Sequence, residues 1–210
     1  MEKDFFPQTV YGIDEAGRGP LAGPLSLALV NFSREQLNEI HSQSLFMGLN
    51  DSKQLSSRKR KSLHTQIQSS AFYKHVFVSN KSIDRFGISF CIFRAIIMLI
   101  REIDLKDSIL LVDGNYKFEK YFKSYRNFPY QSIIGGDSKV ASIAAASIVA
   151  KENRDRYMVN LSSKYPQYGF ETHMGYGTKK HLENIKKFGI SRYHRRSYIH
   201  DAPDEPMLFK

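Results

Sequence analysis

The chain has 210 residues, and its 31 Lys and Arg against 21 Asp and Glu leave a formal net charge of +10. A chain of this length suits one domain, and its 41% hydrophobic and 13% aromatic residues exclude a disordered chain. The single cysteine, Cys91, excludes a disulfide framework and a cysteine-based zinc site. The excess of positive charge favours a polyanionic partner, with nucleic acid ahead of an anionic membrane.

Apolar runs and amphipathic patterns alternate along the chain with turns rich in small residues. In chain order they predict a strand at 9–14, a strand at 25–32, a helix at 54–70 capped by Ser56 or Ser57, a strand at 72–78, a helix at 88–103, strands at 108–113 and 131–134, and helices at 140–161 and 179–188. This order implies an α/β fold with a mixed sheet. The acidic, proline-containing end at 201–210 predicts a mobile tail.

The sequence shows no sign of export or membrane insertion. It begins Met-Glu-Lys-Asp, which lacks the basic-then-apolar order of a signal peptide. The longest purely apolar stretch, 95–100, is far shorter than the roughly 20 residues of a membrane span. We therefore expect a cytoplasmic protein that does not enter a membrane, with a monomer as the default state.

Positive charge is concentrated in two stretches of the chain. Residues 53–61 contain five Lys or Arg and no acid, and residues 178–196 contain seven Lys or Arg and one acid. Two basic patches on one domain favour a track that contacts phosphates.

Three aspartates lie at the C-terminal ends of predicted strands. Asp14 follows Tyr-Gly-Ile, Asp113 follows Leu-Leu-Val, and Asp137 follows Ile-Ile-Gly-Gly. In open α/β sheets, ligands bind at such ends. Converging carboxylates need a cation or protons to balance their charge, and oxygen-only ligands select hard divalent ions such as Mg²⁺ or Mn²⁺. The pattern predicts a metal site.

Each acid also has an ordinary structural explanation. Asp14 and Glu15 are compatible with a turn, as is Asp113 before a glycine, and Asp137 is placed to act as an N-cap for the next helix. Neighbouring strand residues point to opposite faces. Asp14 and Glu15 therefore share one site only if the strand ends or bulges there, or if Glu15 also offers its backbone carbonyl.

A long segment at 11–24 reads Tyr-Gly-Ile-Asp-Glu-Ala-Gly-Arg-Gly-Pro-Leu-Ala-Gly-Pro. Shorter blocks follow it in order, namely Leu49-Asn-Asp-Ser-Lys-Gln-Leu-Ser56, Val112-Asp-Gly-Asn115, Gly136-Asp-Ser-Lys139, Ser142-Ile-Ala-Ala-Ala-Ser-Ile-Val-Ala-Lys151, Arg154-Asp155, His173-Met-Gly-Tyr-Gly-Thr178 and His194-Arg-Arg-Ser197. Together these blocks resemble the ribonuclease HII family over roughly residues 9–198. The related ribonuclease HIII usually has an extra N-terminal domain and Gly-Lys-Gly in place of Gly17-Arg18-Gly19, which favours HII.

The resemblance implies a ribonuclease H-like mixed sheet flanked by helices. The catalytic domain would span 1–200 and include a helical C-terminal part at about 160–200. The implied activity is cleavage of RNA in RNA–DNA hybrids and of duplex DNA on the 5′ side of embedded ribonucleotides, by two-metal-ion hydrolysis that leaves a 3′-hydroxyl and a 5′-phosphate. The family's four carboxylates correspond to Asp14, Glu15, Asp113 and Asp137, and the cofactor would be Mn²⁺ or Mg²⁺.

Two segments are expected to read the sugar. Glycines at 17 and 19 let backbone groups approach a ribose, whose 2′-hydroxyl both donates and accepts hydrogen bonds, although they also suit a tight turn between strands. In the family, the tyrosine of the Gly-Tyr-Gly-Thr block helps to sense the ribose-to-deoxyribose junction, and this role carries over to Tyr176. The family commonly has a basic residue where this chain has Met174.

Several side chains are expected to play supporting roles. Lys53, next to Ser52, is the best candidate for a phosphate contact, and the other candidates are Lys139, Lys151, Arg195 and Arg196. Because metal ions generate the nucleophile, no catalytic histidine is needed, and a surface or hydrogen-bonding role is expected for His173, His181 and His194. A structural salt bridge is expected for Asp155.

Two other functions are compatible with the sequence. A non-catalytic nucleic-acid-binding module would use the same basic tracks, although it would gain nothing from acids that face phosphates. A metal-dependent phosphotransferase or DNA nuclease on the same fold would share the carboxylates. The segment Gly17-Arg18-Gly19 and Tyr176 favour ribose sensing over that second alternative.

Overall fold

Five strands form one mixed sheet in the order β3-β2-β1-β4-β5. A computed structural model describes residues 2–50 and 52–199, and the predicted tail at 201–210 lies outside the described residues. The strands are β1 (Thr9–Ala16), β2 (Leu25–Asn31), β3 (Phe72–Val78), β4 (Ser108–Asp113) and β5 (Tyr130–Ile133). β2 pairs antiparallel with β1 and with β3, whereas β4 runs parallel to β1 and β5 parallel to β4. The C-terminal ends of β1, β4 and β5 therefore meet at one end of the sheet.

Helices cover both faces of the sheet. In the described residues they are α1 (Arg34–His41), α2 (Ser57–Ser70), α3 (Asn80–Phe86), α4 (Ile88–Leu99), α5 (Glu119–Phe122), α6 (Ala141–Lys164), α7 (Phe170–His173) and α8 (Lys179–Phe188). None of the helices in that part of the chain combines the length and the apolar character needed to cross a bilayer.

The central strands are buried from both sides. On one face, Ala28 and Val30 of β2 pack with apolar residues of α2 and with the alanines of α6. On the other face, Ile13 and Leu27 pack against α4. Side chains of β1 at even positions therefore point towards α6, and those at odd positions point towards α4.

The mixed sheet and its flanking helices confirm the predicted fold class. All five predicted strands and all four predicted helices are present, and α2 begins at the predicted cap, because the Ser56 hydroxyl accepts a hydrogen bond from the Lys59 amide. The helix predicted at 88–103 ends earlier, at Leu99. The prediction missed α1, α3, α5 and α7, which have only 4 to 8 residues and so show too few turns for a clear period.

Candidate active site

Three aspartates converge where the parallel strands end. Asp14 lies near the end of β1, Asp113 is the last residue of β4, and Asp137 lies in the 3₁₀ turn Gly136–Ser138 that follows β5. One carboxylate oxygen from each lies within 4.8 Å of the others, and Asp14 and Asp137 are buried. We call these three residues the acidic cluster.

Local backbone groups hold two members of the acidic cluster in place. The Glu15 amide donates a hydrogen bond to Asp14 Oδ1 at 2.7 Å, and the Gly136 amide donates to Asp113 Oδ1 at 2.7 Å. Both bonds are fixed by the chain next to the strand ends, so the positions of these carboxylates follow from the sheet itself.

Asp137 does not have the alternative role of a helix cap. The N-cap of α6 is Val140, which makes no side-chain capping bond. The carboxylate of Glu2, distant in sequence, accepts a hydrogen bond from the Ser142 amide at 3.3 Å and serves the start of α6 instead. The side chain of Asp137 belongs to the acidic cluster, with the Lys53 ammonium 3.8 Å from its Oδ2.

Glu15 lies beside the acidic cluster and outside it. β1 continues to Ala16, so the side chains of Asp14 and Glu15 leave the strand on opposite sides. The Asp14 side chain lies near Ser147 of α6, whereas Glu15 Oε1 accepts a bond from the Tyr116 hydroxyl at 3.0 Å and lies 3.6 Å from Arg18. The second oxygen of Glu15, Oε2, is buried and has no hydrogen-bond partner among the described residues.

Burial makes both neighbouring carboxyl groups costly to ionise. Burial, followed by the charges of Glu15 and Asp113, raises the pKa of Asp14 well above its usual range. Burial also raises the pKa of Glu15 to about 7, against the opposing effect of Arg18 and the Tyr116 hydroxyl. A divalent cation would relieve this cost, because it supplies the opposite charge directly.

The donor set fits a hard divalent cation. It consists of three converging carboxylates with no sulfur or imidazole among them, and the buried carboxylate of Glu15 lies beside this set. Oxygen-only ligands of this kind suit Mg²⁺ and Mn²⁺.

A cleft of about 320 Å³ opens above Asp14, Glu15 and Asp113. Its rim carries the other residues that the sequence singled out, namely Gly17, Arg18, Gly19, Lys53 and Tyr176. A larger cavity of about 510 Å³ lies between α2 and α6, where Arg60 pairs with Glu152 and Asp155. That cavity contains no member of the acidic cluster. The acidic cluster therefore opens to the smaller cleft, through Asp14 and Asp113.

Two buried arginines hold the loop of residues 17–24, a role that the sequence analysis did not predict for either of them. Arg195 is fully buried and donates hydrogen bonds to the carbonyls of Gly17 and Arg18, at 2.7 and 2.8 Å, and to the Gly23 carbonyl. Arg154, also buried, donates to the carbonyls of Ala22 and Pro24. The prediction that Arg195 contacts phosphate is wrong, because its guanidinium is enclosed by protein.

Most of the remaining predicted residues form hydrogen bonds or ion pairs within the protein. His173, His181 and His194 are buried and hydrogen-bonded, so a hydrogen-bonding role is confirmed for all three. Asp155 forms ion pairs with Lys151 and Arg60, as expected of a structural salt bridge. The ring of Tyr176 is 45% exposed. The Arg154 guanidinium lies 5.9 Å from the centre of that ring.

A mixed sheet that ends in an acidic cluster, beneath a rim with cationic and glycine-rich segments, defines a class of metal-dependent enzymes that act on nucleic-acid phosphates. The sequence matches the family model for ribonuclease HII over residues 11–200. It is 42% identical over 198 residues to ribonuclease HII of Rickettsia akari, covering 94% of this chain and 95% of that one. It is 43% identical over 191 residues to ribonuclease HII of Caldicellulosiruptor bescii, covering 90% and 86%.

The fold is also similar to solved structures. Ribonuclease HII of Archaeoglobus fulgidus, solved in complex with PCNA, aligns with a TM-score of 0.74 at 25% identity, over 93% of this chain and 97% of that one. The chain belongs to the ribonuclease HII family.

Proposed function

We propose that this chain is an endoribonuclease that hydrolyses RNA in RNA–DNA hybrids and nicks duplex DNA on the 5′ side of embedded ribonucleotides. The products would be a 3′-hydroxyl and a 5′-phosphate, and residues up to about 200 would act as one catalytic domain. The observation that carries the proposal is the acidic cluster, with oxygens within 4.8 Å, at the base of a cleft lined by Gly17, Gly19 and Tyr176.

Asp14, Asp113 and Asp137, together with Glu15, would hold the divalent ions, either Mn²⁺ or Mg²⁺. Bound ions would supply activation of the attacking water and charge stabilisation at the leaving 3′-oxygen. The protein's own part is to keep the carboxylates converged before substrate arrives. The amides of Glu15 and Gly136 do this by donating hydrogen bonds to Asp14 and Asp113.

The two glycines of the rim differ in a way that supports sugar reading. Gly17 has a φ of +95°, and an added Cβ would overlap the Arg154 side chain, so the fold itself requires this glycine. A Cβ at Gly19 would meet nothing within 4 Å among the described residues, and its φ lies outside the left-handed region. The fold does not require glycine at 19, and the open space there suits a substrate backbone that comes close.

Tyr176 and Lys53 would contact the substrate from the other parts of the rim. The half-exposed ring of Tyr176 lies between two glycines and offers a flat face to a deoxyribose next to the ribonucleotide. The Lys53 side chain is 76% exposed while its ammonium stays 3.8 Å from Asp137. It would therefore bind a phosphate at the edge of the metal site.

The proposal is tested with a DNA duplex that carries one internal ribonucleotide, incubated with Mg²⁺ or Mn²⁺. An all-DNA duplex and the variant Asp113→Asn serve as controls. A single nick on the 5′ side of the ribonucleotide, absent from both controls and from reactions with chelator, supports the proposal. Duplex binding without any nick would contradict it and would favour a non-catalytic binding module. Equal cleavage of the all-DNA duplex would favour a DNA nuclease.

A further inference from the structure

Three chain segments meet behind the cleft, and the first of them contacts both others. These segments are residues 17–24, residues 173–177 and residues 191–196, and we call the third the anchor segment. Ala22 and His194 form an isolated β-bridge, and the Arg195 amide donates to the Leu21 carbonyl at 2.7 Å. The Leu21 amide in turn donates to the Gly175 carbonyl at 2.8 Å. The two halves of the rim are thus joined through one short stretch of backbone.

The side chain of Arg195 fixes the first half of the rim. Its planar guanidinium donates to the carbonyls of Gly17, Arg18 and Gly23, which are spread along the loop. A planar fork of donors sets the relative positions of these three carbonyls, which a lysine with its single ammonium cannot do. With these carbonyls turned inward to Arg195, the loop is held in one conformation at the cleft.

A chain of neutral histidines fixes the second half. The Tyr176 carbonyl can only accept, so His181 Nδ1, at 2.9 Å, carries the proton and His181 Nε2 is an acceptor. His194 Nε2, at 3.1 Å, must then donate, which leaves His194 Nδ1 to accept from the Ser191 amide at 2.8 Å. Every partner is satisfied only if both rings are neutral, and burial keeps them so by lowering the pKa of His181 to about 4 and that of His194 to about 3.

We propose that His194 and Arg195, which are adjacent in the anchor segment, are positioning residues that set the Tyr176 loop and the Gly17–Gly19 loop in register with each other. Arg195 acts on the carbonyls of residues 17, 18 and 23, and His194 acts through His181 on the carbonyl of Tyr176. The inference rests on the proposed function, because the register matters only if the two loops contact neighbouring sugars of one strand.

The consequence is a specific kinetic signature. A misplacement of about 1 Å remote from the reacting atoms is enough to cost up to a hundredfold in rate while leaving binding contacts largely in place. Loss of the register should therefore lower kcat on the duplex with a single ribonucleotide, where a junction must be read. It should affect the RNA–DNA hybrid less, because a ribose lies at every position of that strand.

The first test compares two matched arginine-to-lysine changes, Arg195→Lys in the buried fork and Arg192→Lys at an exposed position of the same segment. Rates on the single-ribonucleotide duplex and on an RNA–DNA hybrid are measured with Mn²⁺, together with KM, Mn²⁺ affinity and melting temperature. We expect Arg195→Lys to lower the ratio of the two kcat values about tenfold, with KM and Mn²⁺ affinity within about twofold of wild type. Arg192→Lys should leave the ratio unchanged.

The second test uses His181 and stands even if Arg195→Lys does not fold. His181→Leu removes both the donor to Tyr176 and the acceptor for His194, and it should lower the kcat ratio. His181→Asn keeps a side-chain N–H near the position of Nδ1 but loses the bond to His194, so it should restore the kcat ratio only in part. A kcat ratio unchanged in both Arg195→Lys and His181→Leu would overturn the inference, and so would an equal loss on both substrates that follows melting temperature. Failure of the wild type to cleave either substrate would overturn the proposed function as well.

Discussion

The acidic cluster and the rim above it are built in different ways. The carboxylates of Asp14 and Asp113 are held by amides that follow directly on parallel strands. The rim depends on bonds between residues far apart in the chain, such as the 178 positions that separate Arg195 from Gly17. The comparison teaches that the clustered carboxylates come with the sheet, whereas the shape of the rim requires the C-terminal segment to fold back onto the N-terminal loop.

The largest effect is expected where the acidic cluster loses a charge. Asp113→Asn keeps an oxygen that can accept the Gly136 amide bond but removes a carboxylate from the metal site. We expect cleavage of the single-ribonucleotide duplex to fall about a hundredfold or more with little change in melting temperature. Asp155→Asn is the matched control, because Asp155 pairs with Lys151 and Arg60 outside the cluster. Equal activity in the two variants would contradict the metal assignment.

Substitutions at the two rim glycines distinguish an effect on folding from an effect on substrate contact. Gly17→Ala forces a side chain into the left-handed region and against Arg154, so we expect a loss of about 2 kcal/mol or more in the free energy of unfolding. Gly19→Ala should leave stability unchanged and lower the cleavage rate about tenfold, since the new methyl group would occupy substrate space. Chemical denaturation and cleavage assays on both variants check this pair. Full activity in Gly19→Ala would show that no substrate group comes close there.

We expect the cost of burying the acidic cluster to appear as a pH-dependent stability. The raised pKa of Asp14 means that the folded protein keeps a proton that the unfolded chain releases, so this group loses stabilising effect as pH rises through its folded pKa. We expect Asp14→Asn to melt at a higher temperature than wild type in metal-free buffer at pH 8. The difference should shrink as the pH falls through the ordinary pKa of an unfolded aspartate, about 3.9, below which the aspartate is protonated in both states. A melting difference that grows on acidification would contradict the sign.

The smallest effect is expected at the exposed edge of the rim. Lys53→Gln removes one charge next to the metal site, and we expect duplex affinity to fall by about 1 kcal/mol and the salt dependence of binding to lose about one unit of slope. Lys106→Gln, at an exposed position before the start of β4 and outside both basic stretches, is the control. An identical salt slope in wild type and Lys53→Gln would remove Lys53 from the phosphate track.

The sequence predicted the acidic cluster because its determinants are local. Each aspartate follows an apolar run, and parallel pairing of β1, β4 and β5 brings the ends of those runs together. The alternation of side chains along a strand also predicted that Asp14 and Glu15 point to opposite sides unless the strand ends or bulges there. Strand β1 is uninterrupted and places Glu15 on the opposite side from Asp14. The roles of these residues as ligands stay a prediction.

The rim was less predictable because burial of a long charged side chain depends on distant packing. In the sequence, Arg195 is one more basic residue in a basic stretch. In the structure, its hydrogen-bond partners are the carbonyls of residues 17, 18 and 23. Arg154 gave a signal that was missed, since it lies four residues after Ala150 and four before Met158 on the buried face of α6. A charged residue on an otherwise apolar helix face indicates a buried polar partner.

The most direct measurement varies only the 2′ substituent of one sugar in the substrate. A single duplex is prepared with a ribose, a deoxyribose or a 2′-O-methylribose at the same internal position, and the initial rate of nicking is measured with Mn²⁺. The account predicts a nick on the 5′ side of the ribose alone, with a 3′-hydroxyl and a 5′-phosphate at the break. Comparable nicking of the deoxyribose duplex would contradict it, because cleavage would then proceed without the 2′-hydroxyl that we propose the rim reads.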